Sequence, residues 1–588
     1  MTHASSSAAG FWALLRPLVW RHRWTILAAM LLVGISGTAV GIQNVFPKYL
    51  FSEVLEPKDI DPAERTRRLL MLLGGFLLVT LFMRMVAWHL GYRLFTVVRE
   101  RIVFALREQF FRHVNHLCLR FHGEHPSGEL FSYLFGSPLG NLIGFVQHCS
   151  MFLPASVMTL VSTMAMFWLW DWQIALVLIA SSLISVWMMN ISRRRVQAIS
   201  SDFQITEGNV SGHVADLLRG SKAVKLYAME SQVAGEFNEQ ARLIGRKSLE
   251  RDVRSHFEWM KQEGIGYVTF ALLMAACAWR YRTGHIDLGT VTACLTSYAG
   301  LTFPLQTLFQ AMTMYGAASA SAERLGAVLA TASTTPDPVG AENAVPQRGA
   351  LQLEGVHFSY GDQAVLAGVD LAIPYGQKVA IVGPSGAGKS TLIQLFLRLY
   401  DPQQGRVAID GIDLRSMRGA ELRHRFGVVP QDPFIFRTSL RDNLRVARPD
   451  ADDVSIRQAC ERANAWEFIC RIPGGLDSQV GEGGATLSGG QRQRLSIARV
   501  LLADPSWFIF DEATSALDTV SERLIQQAIE SNLGDRTAIF IAHRLATVQH
   551  CDRIIVVDKG GIAQDGAYAD LAARDGLFRD LVRGQQLH

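Results

Sequence analysis

The first half of the chain alternates between long uncharged apolar runs and charged connections. A helix needs about 20 apolar residues to cross the hydrocarbon core of a bilayer, and its backbone polar groups are then satisfied internally. Buried helices of soluble proteins are normally amphipathic and rarely stay uncharged for this long. The pattern therefore predicts six membrane spans, at residues 25–46, 69–92, 141–170, 172–192, 260–280 and 288–316.

The connections between these spans differ in length and charge. The third and fourth spans are one residue apart, whereas residues 93–129 and 193–263 carry many Arg and Glu residues at helical spacing. These two long segments are predicted to continue as helices beyond the bilayer. Six spans return the chain to its starting side, so the N-terminus and the second half are expected to be cytoplasmic. Arg16, Arg21 and Arg23, before the first span, agree with the positive-inside tendency.

The second half has a different pattern. Residues 330–350 are rich in Ala, Thr, Pro and Gly, which predicts a flexible linker. Short β-branched runs then alternate with helical stretches, as is typical of an α/β domain with buried, largely parallel strands. The predicted strands include residues 378–382, 507–510, 538–541 and 553–557.

Composition argues against a nucleic-acid partner and against a cysteine metal site. The formal net charge is only +4, which gives no basic footprint for nucleic acid, so no nucleic-acid partner is expected. The 7 cysteines show no pairs at CxxC spacing. We therefore expect reduced thiols and no cysteine metal site.

A phosphate-binding loop follows the strand at residues 378–382 and begins a helical stretch, which is the context that this motif requires. Its glycines let backbone N–H groups surround phosphate oxygens, and the helix N-terminus favours negative charge. Lys389 is expected to reach the β- and γ-phosphates of ATP, and Ser390 to hold Mg²⁺. The predicted ATP-binding residues are Gly383, Pro384, Ser385, Gly386, Ala387, Gly388, Lys389, Ser390 and Thr391.

Two acidic residues follow the predicted strand at residues 507–510. Asp511 is expected to complete the Mg²⁺ shell through water, and Glu512 to orient or deprotonate the attacking water. Helix capping is the ordinary alternative for an acidic pair after a strand, but the upstream phosphate loop favours ATP hydrolysis. The expected cofactors are therefore ATP and Mg²⁺.

Over residues 351–588 the chain resembles an ATP-binding-cassette nucleotide domain. The matching signature is Leu487, Ser488, Gly489, Gly490 and Gln491. In that family Ser488 and Gly490 bind the γ-phosphate of ATP held by the opposite subunit. The resemblance also implies that Tyr360 stacks on adenine, Gln431 senses Mg²⁺ and the membrane domain, Asp518 lies in a dimer-contact loop and His543 contacts the γ-phosphate.

A membrane domain followed by an ATPase domain in one chain resembles an exporter half-transporter. The predicted fold is thus multidomain, with an all-α six-helix transmembrane domain at 1–329, a linker at 330–350 and an α/β P-loop ATPase domain at 351–588. The layout is similar to the bacterial lipid A flippase and multidrug exporter group. It implies a homodimer in the bacterial inner membrane, surrounded by membrane lipids.

The resemblance favours an amphipathic lipid or a lipid-linked glycan as the substrate. The alternative is a multidrug or peptide exporter, and an ATP-gated channel or regulator on the same scaffold is less favoured because Glu512 is present. An ionisable residue inside a membrane span is energetically costly, so its presence suggests a functional role. Arg84, His89 and His148 are therefore candidates for the substrate cavity, although an internal partner or a place in the wall of a water-filled cavity is the favoured alternative for Arg84.

The resemblance also implies short coupling helices on the intracellular loops. They are expected near residues 125–131 and 209–215.

Overall fold

The computed structural model describes residues 16–56, 61–338, 345–481, 484, 486–512, 519–542 and 548–586. The chain divides into two compact units. The first comprises Met1–Asn115 and Pro126–Thr331, and the second comprises His116–His125 and Ala332–His588. The first unit is helical and the second is α/β, so the predicted fold class is confirmed.

Long helices form the first unit. Their bounds, with those of the shorter helices between them, are Arg23–Tyr49, Pro62–Val79, Trp88–His116, Ser127–Phe135, Ser137–Gln147, Leu153–Trp170, Trp172–Arg219, Ser221–Leu226, Glu230–Arg282 and Leu288–Ala330. The described residues include three π-helical segments: Leu50–Leu55 extends Arg23–Tyr49, Thr80–Ala87 joins Pro62–Val79 to Trp88–His116, and His148–Phe152 joins Ser137–Gln147 to Leu153–Trp170.

Several of these helices have the length and composition of membrane spans. Four qualify in the described part of the chain, namely Arg23–Leu55, Pro62–His116, Ser127–Trp170 and Trp172–Ser192. The other two predicted spans, at residues 260–280 and 288–316, lie within Glu230–Arg282 and Leu288–Ala330.

Small residues bring two of the spanning helices into close contact. Gly37 and Gly41 lie on one face of Arg23–Tyr49, and both are buried. A Cβ atom at Gly37 would lie 2.3 Å from the Ala155 carbonyl oxygen, and one at Gly41 would lie 2.5 Å from Ser162 Oγ. This spacing of glycines is a known way for membrane helices to bring their backbones together.

Two sheets form the framework of the second unit, as far as its residues are described. Their strands are β1 Leu351–Tyr360, β2 Gln363–Ile373, β3 Lys378–Val382, β4 Gln404–Ile409, β5 Ile412–Asp413, β6 Phe426–Val429, β7 Trp507–Asp511, β8 Thr537–Ile541, β9 Arg553–Asp558 and β10 Gly561–Gly566. The antiparallel sheet has the order β2-β1-β4-β5, and the larger sheet has the order β10-β9-β3-β8-β7-β6. In the larger sheet β9, β3, β8, β7 and β6 are parallel and β10 is antiparallel to β9.

The described residues of the second unit also form α-helices. They are Leu119–Glu124 from the first half of the chain, and Lys389–Phe396, Gly419–His424, Leu440–Arg445, Asp453–Arg462, Trp466–Arg471, Gly489–Ala503, Thr519–Asn532, Tyr568–Ala573 and Leu577–Gln586. The second unit also contains the 3₁₀ turns Leu414–Ser416 and Gly475–Asp477.

The larger sheet separates two hydrophobic cores. Side chains alternate between the faces of a strand, so alternate residues of β3 enter different cores. Val379 and Ile381 pack in the same core as the helix after the phosphate loop, whereas Ala380 and Val382 pack in the same core as the helix Gly489–Ala503. The continuous apolar runs in the sequence reflect this burial on both faces.

The predicted linker contacts the second unit over part of its length. The buried guanidinium of Arg398 donates hydrogen bonds to the carbonyl oxygens of Pro336, at 2.7 Å, and Met417, at 2.8 Å. Asp337 accepts a hydrogen bond from the backbone N–H of Gly419 at 2.8 Å. Pro336 and Asp337 therefore pack against the second unit, so the predicted linker is held at these two residues.

The second coupling segment also differs from its prediction. Residues 209–215 lie inside the uninterrupted helix Trp172–Arg219. The short helix at this end of the first unit is Ser221–Leu226 instead. Leu226 and Tyr227 are 72% and 75% exposed there.

Candidate functional site

The phosphate loop connects β3 to the helix Lys389–Phe396. Gly383 has φ +152° and lies so close to β9 that a Cβ atom would be 2.1 Å from the Val557 carbonyl oxygen. Gly388, the residue before the helix, has φ +105°, and its Cβ would be 2.8 Å from Leu366 Cδ2. These two positions require glycine for both conformation and space. The loop therefore leaves its backbone available at a helix N-terminus, where anions are favoured.

The side chain of Lys389 folds back onto the phosphate loop that precedes its helix. Its ammonium group is 2.8 Å from the Gly383 carbonyl oxygen and 2.9 Å from that of Pro384, and the residue is buried. Burial lowers the pKa of Lys389, while the charges of Asp511 and Glu512 act in the opposite direction. Ser390 is exposed and Thr391 is buried. The fold thus brings the predicted lysine into the electrostatic range of both predicted acidic residues.

Asp511 and Glu512 lie at the carboxyl end of β7, two strands from β3 in the same sheet. Glu512 has φ +47°, a conformation that costs a non-glycine residue about 1–3 kcal/mol and often occurs at functional sites. Its backbone N–H donates to the Ile541 carbonyl oxygen at 3.1 Å. Its side chain accepts a hydrogen bond from the amide of Gln431 at 2.8 Å.

The side chains offered to a metal here are all oxygen donors. The Ser390 hydroxyl, the Asp511 carboxylate and the Gln431 amide oxygen have the chemistry that Mg²⁺ prefers. When bound, Mg²⁺ would neutralise phosphate charge during hydrolysis. The donor set fits the predicted metal.

Tyr360 lies at the end of β1, among aromatic side chains. Its ring is 5.4 Å from that of Tyr400 in an edge-on arrangement, and its hydroxyl bonds to Gln394. It lines a cavity of about 280 Å³. Arg120 and Glu124 of the helix Leu119–Glu124 line the same cavity. The sequence predicts a coupling element slightly later in the chain, and nothing local to Arg120 or Glu124 indicates this contact.

The predicted signature forms the start of the helix Gly489–Ala503. Ser488 caps the helix reciprocally: its Oγ accepts from the Gln491 backbone N–H at 3.3 Å, and its own N–H donates to Gln491 Oε1 at 2.8 Å. Leu487 and Gly490 are buried, whereas Ser488 and Gly489 are exposed. An exposed serine at a helix N-terminus is suited to bind an anion supplied from outside the domain.

One helix links this signature to Gln431. Gln493, in the same helix and 2% exposed, donates a hydrogen bond to the Pro430 carbonyl oxygen at 3.2 Å. Pro430 directly precedes Gln431.

The remaining predicted residues of the ATP site, Asp518 and His543, lie outside the described residues.

The three candidates in the membrane unit have different surroundings. Arg84 lines a cavity of about 520 Å³, and its guanidinium donates to Gln43 Oε1 at 3.2 Å. His89 is exposed and does not line this cavity. His148 is buried, with its Nε2 atom 2.9 Å from the Thr307 carbonyl oxygen. Of the three candidates, the structure therefore brings Arg84 to the cavity and gives His148 a contact between helices.

Both units of the chain are similar in sequence to known proteins. The family model described as the ABC transporter transmembrane region matches residues 26–305, and the ABC transporter model matches residues 366–515. The ATP-dependent lipid A-core flippase of Chromohalobacter salexigens is 34% identical over 513 residues, covering 85% of this chain and 86% of the relative. The putative multidrug export ATP-binding/permease protein YgaD of Bacillus subtilis is 31% identical, covering 83% and 84%.

A solved structure agrees with these relatives. The ATP-bound structure of a bacterial Atm1-family ABC exporter is similar with a TM-score of 0.86 and 28% identity, covering 96% of this chain and 98% of that one. The helical membrane unit and the α/β ATPase unit define an ATP-hydrolysing membrane transporter. The chain belongs to the ABC transporter family, as a half-transporter of the exporter type.

Proposed function

We propose that the chain works as a homodimer in the bacterial inner membrane and moves an amphipathic lipid or lipid-linked glycan, with its ATPase domain in the cytoplasm. Several relatives are named lipid A-core flippases, which supports a lipid as the substrate. A half-transporter carries one ATPase domain, and closure of two such domains around ATP would supply the switch between two states of the membrane helices.

Each ATP site is proposed to use both copies. Tyr360 would stack on adenine, and the phosphate loop would hold the phosphates, with Thr391 beside it. Ser390, Gln431 and Asp511 would hold Mg²⁺. Glu512 would deprotonate or orient the attacking water. The partner copy would supply its signature, Leu487, Ser488, Gly489, Gly490 and Gln491, while Asp518 would contact the partner and His543 the γ-phosphate.

The cavity at Arg84 is the observation that carries the choice of substrate. Its lining combines one guanidinium with aromatic and apolar side chains, among them Trp88 and Phe152. Ser156, 1% exposed, also lines it, and its Oγ has no hydrogen-bond partner among the described residues. A cation and a free hydroxyl beside apolar walls are suited to a phosphate group attached to a hydrocarbon.

A multidrug exporter is the second candidate, because the similar protein YgaD is named as one. The two candidates differ in what Arg84 does. A phosphate-bearing lipid would depend on its charge, whereas an uncharged hydrophobic compound would depend on the apolar walls.

Lipid-stimulated ATP hydrolysis tests this choice. We expect lipid A in nanodiscs to stimulate the purified chain, and Arg84→Gln to reduce the apparent lipid affinity about tenfold, a change of about 1.4 kcal/mol. Arg67→Gln is the matched control, because Arg67 is exposed and paired with Glu64 at 3.8 Å. Unchanged stimulation of Arg84→Gln would contradict the proposed lipid site.

A further inference from the structure

A second cavity in the membrane unit has different chemistry from the one at Arg84. It measures about 370 Å³ and lies between the helices Trp172–Arg219, Glu230–Arg282 and Leu288–Ala330. Small hydroxyl residues of the first helix make room for it, and aromatic residues form much of the remaining wall. Among the described residues, none lines both this cavity and the one at Arg84.

One face of the helix Glu230–Arg282 supplies most of the polar and aromatic lining. Trp259, Glu263, Gly266 and Phe270 recur at intervals of three or four residues, so they lie on the same side of the helix. The Tyr298 hydroxyl donates to the Gly266 carbonyl oxygen at 2.6 Å, which fixes that ring as part of the wall.

Glu263 is the only Asp, Glu, Lys, Arg or His among the described residues that line this cavity. Its side chain is exposed, and no hydrogen bond or ion pair joins it to another residue in the described part of the chain. The nearby cation Lys261 is already paired, with Glu258 at 2.7 Å. The cavity therefore presents one exposed carboxylate without a partner in the described part of the chain, near the start of the predicted span 260–280 and at the end of the charged segment that precedes it.

We propose that this cavity binds an organic monocation with an apolar body, with Glu263 as its counter-ion. Aromatic faces attract cations through their quadrupole, and the effect grows when the cation is desolvated. Trp259, Phe270 and Tyr298 supply such rings in the lining of the same cavity. The volume lies within the range of small-molecule sites, about 300–1,000 Å³. An anionic lipid would be repelled by Glu263, so the site does not depend on the substrate proposed for the Arg84 cavity.

Two ions of the same shape and opposite charge test the proposal. Tetraphenylphosphonium and tetraphenylborate are measured by equilibrium dialysis against the full chain in dodecylmaltoside micelles, with empty micelles as the blank. We expect Glu263→Gln to weaken phosphonium binding about tenfold, which is about 1.4 kcal/mol, and to leave borate binding undiminished. Glu263→Asp keeps the charge and is expected to keep most of the phosphonium affinity.

Two further variants locate the site. Glu250→Gln is the matched control, because Glu250 lies on the same helix outside the cavity and pairs with Arg254 at 3.7 Å. It is expected to bind both ions as the wild type does. Ser182→Trp places a large side chain in the cavity and is expected to weaken phosphonium binding.

Three results would overturn the proposal. The first is wild-type phosphonium affinity in Glu263→Gln, and the second is an equal loss for both ions in that variant. The third is unchanged phosphonium binding in Ser182→Trp, which would place the ion elsewhere.

Discussion

Glu512 is the residue on which the proposed chemistry depends most. It follows the last residue of β7 in a left-handed conformation, and its side chain accepts a hydrogen bond from Gln431. This contact joins the proposed base to a proposed Mg²⁺ ligand. Binding of Mg²⁺ at Gln431 would therefore also affect how Glu512 is held.

Replacing Glu512 by Gln keeps the shape and the hydrogen-bonding capacity of the side chain but removes the base. We expect Glu512→Gln to bind ATP as the wild type does and to hydrolyse it at least about 100-fold more slowly, since general-base catalysis contributes about 10²–10⁴ in rate. Phosphate release and binding of a fluorescent ATP analogue measure the two effects separately.

Glu530→Gln is the control for this substitution. Glu530 is an exposed carboxylate of the same domain, and it accepts a hydrogen bond from Gln526 at 2.7 Å. This variant is expected to hydrolyse ATP normally. Wild-type turnover in Glu512→Gln would refute the assignment of the base.

The sequence predicts some residues of the site much better than others. Lys389 and Asp511 belong to short motifs whose chemistry depends on neighbouring residues, and the structure brings them within electrostatic range of each other. Arg120 and Glu124 lie more than two hundred positions before Tyr360 and still line the same cavity. No local pattern records such a contact, because it depends on the tertiary fold.

Among the elements, the close approach of two membrane helices gives the sharpest mutational test. Gly37→Val should force Arg23–Tyr49 away from Leu153–Trp170, since the added Cβ alone would clash with the Ala155 carbonyl oxygen. It should also disturb the hydrogen bond of 3.0 Å from Thr159 Oγ1 to the Gly37 carbonyl oxygen. Overpacking of this kind costs about 1–3 kcal/mol. We expect a lower melting temperature in detergent, read by size-exclusion chromatography after heating.

Gly74→Val is the control for this packing. Gly74 lies on the helix Pro62–Val79, and, apart from its chain neighbours and the backbone of its own helix, no atom of the described residues lies within 4 Å of the position that a Cβ would take. The same substitution there should leave the melting temperature almost unchanged. Equal losses in both variants would show that the valine, and not the helix contact, is responsible.

The sequence predicts well those strands that form short, continuous apolar runs. The strands β3, β7, β8 and β9 are apolar runs buried on both faces, and each is found within a residue or two of its expected position. The antiparallel sheet β2-β1-β4-β5 is not predicted by the sequence pattern. β4 is buried only in its second half, and β1 pairs with β4 about fifty residues away, so the pairing of this sheet depends on contacts distant in sequence.

At the scale of the whole molecule, the two halves of the proposed ATP site belong to different cores. The helix after the phosphate loop contributes Leu392 to one core, and Leu487 of the signature belongs to the other. The larger sheet lies between them. Ser488 is exposed at its helix N-terminus, where a phosphate from a second copy could reach it. Each ATP is therefore proposed to be held between two chains.

Hydrolysis by mixed dimers tests this shared site most directly. One chain carries Lys389→Ala, the other carries Ser488→Arg, and dimers that contain both are isolated through two different tags. If each site combines one chain's phosphate loop with the other's signature, the mixed dimer contains one intact site, whereas each parent dimer has none. We predict that the mixed dimer hydrolyses ATP in a single turnover at a rate well above that of either parent, meaning the homodimer of Lys389→Ala chains or the homodimer of Ser488→Arg chains. Mixed dimers as inactive as the parents would contradict the shared site.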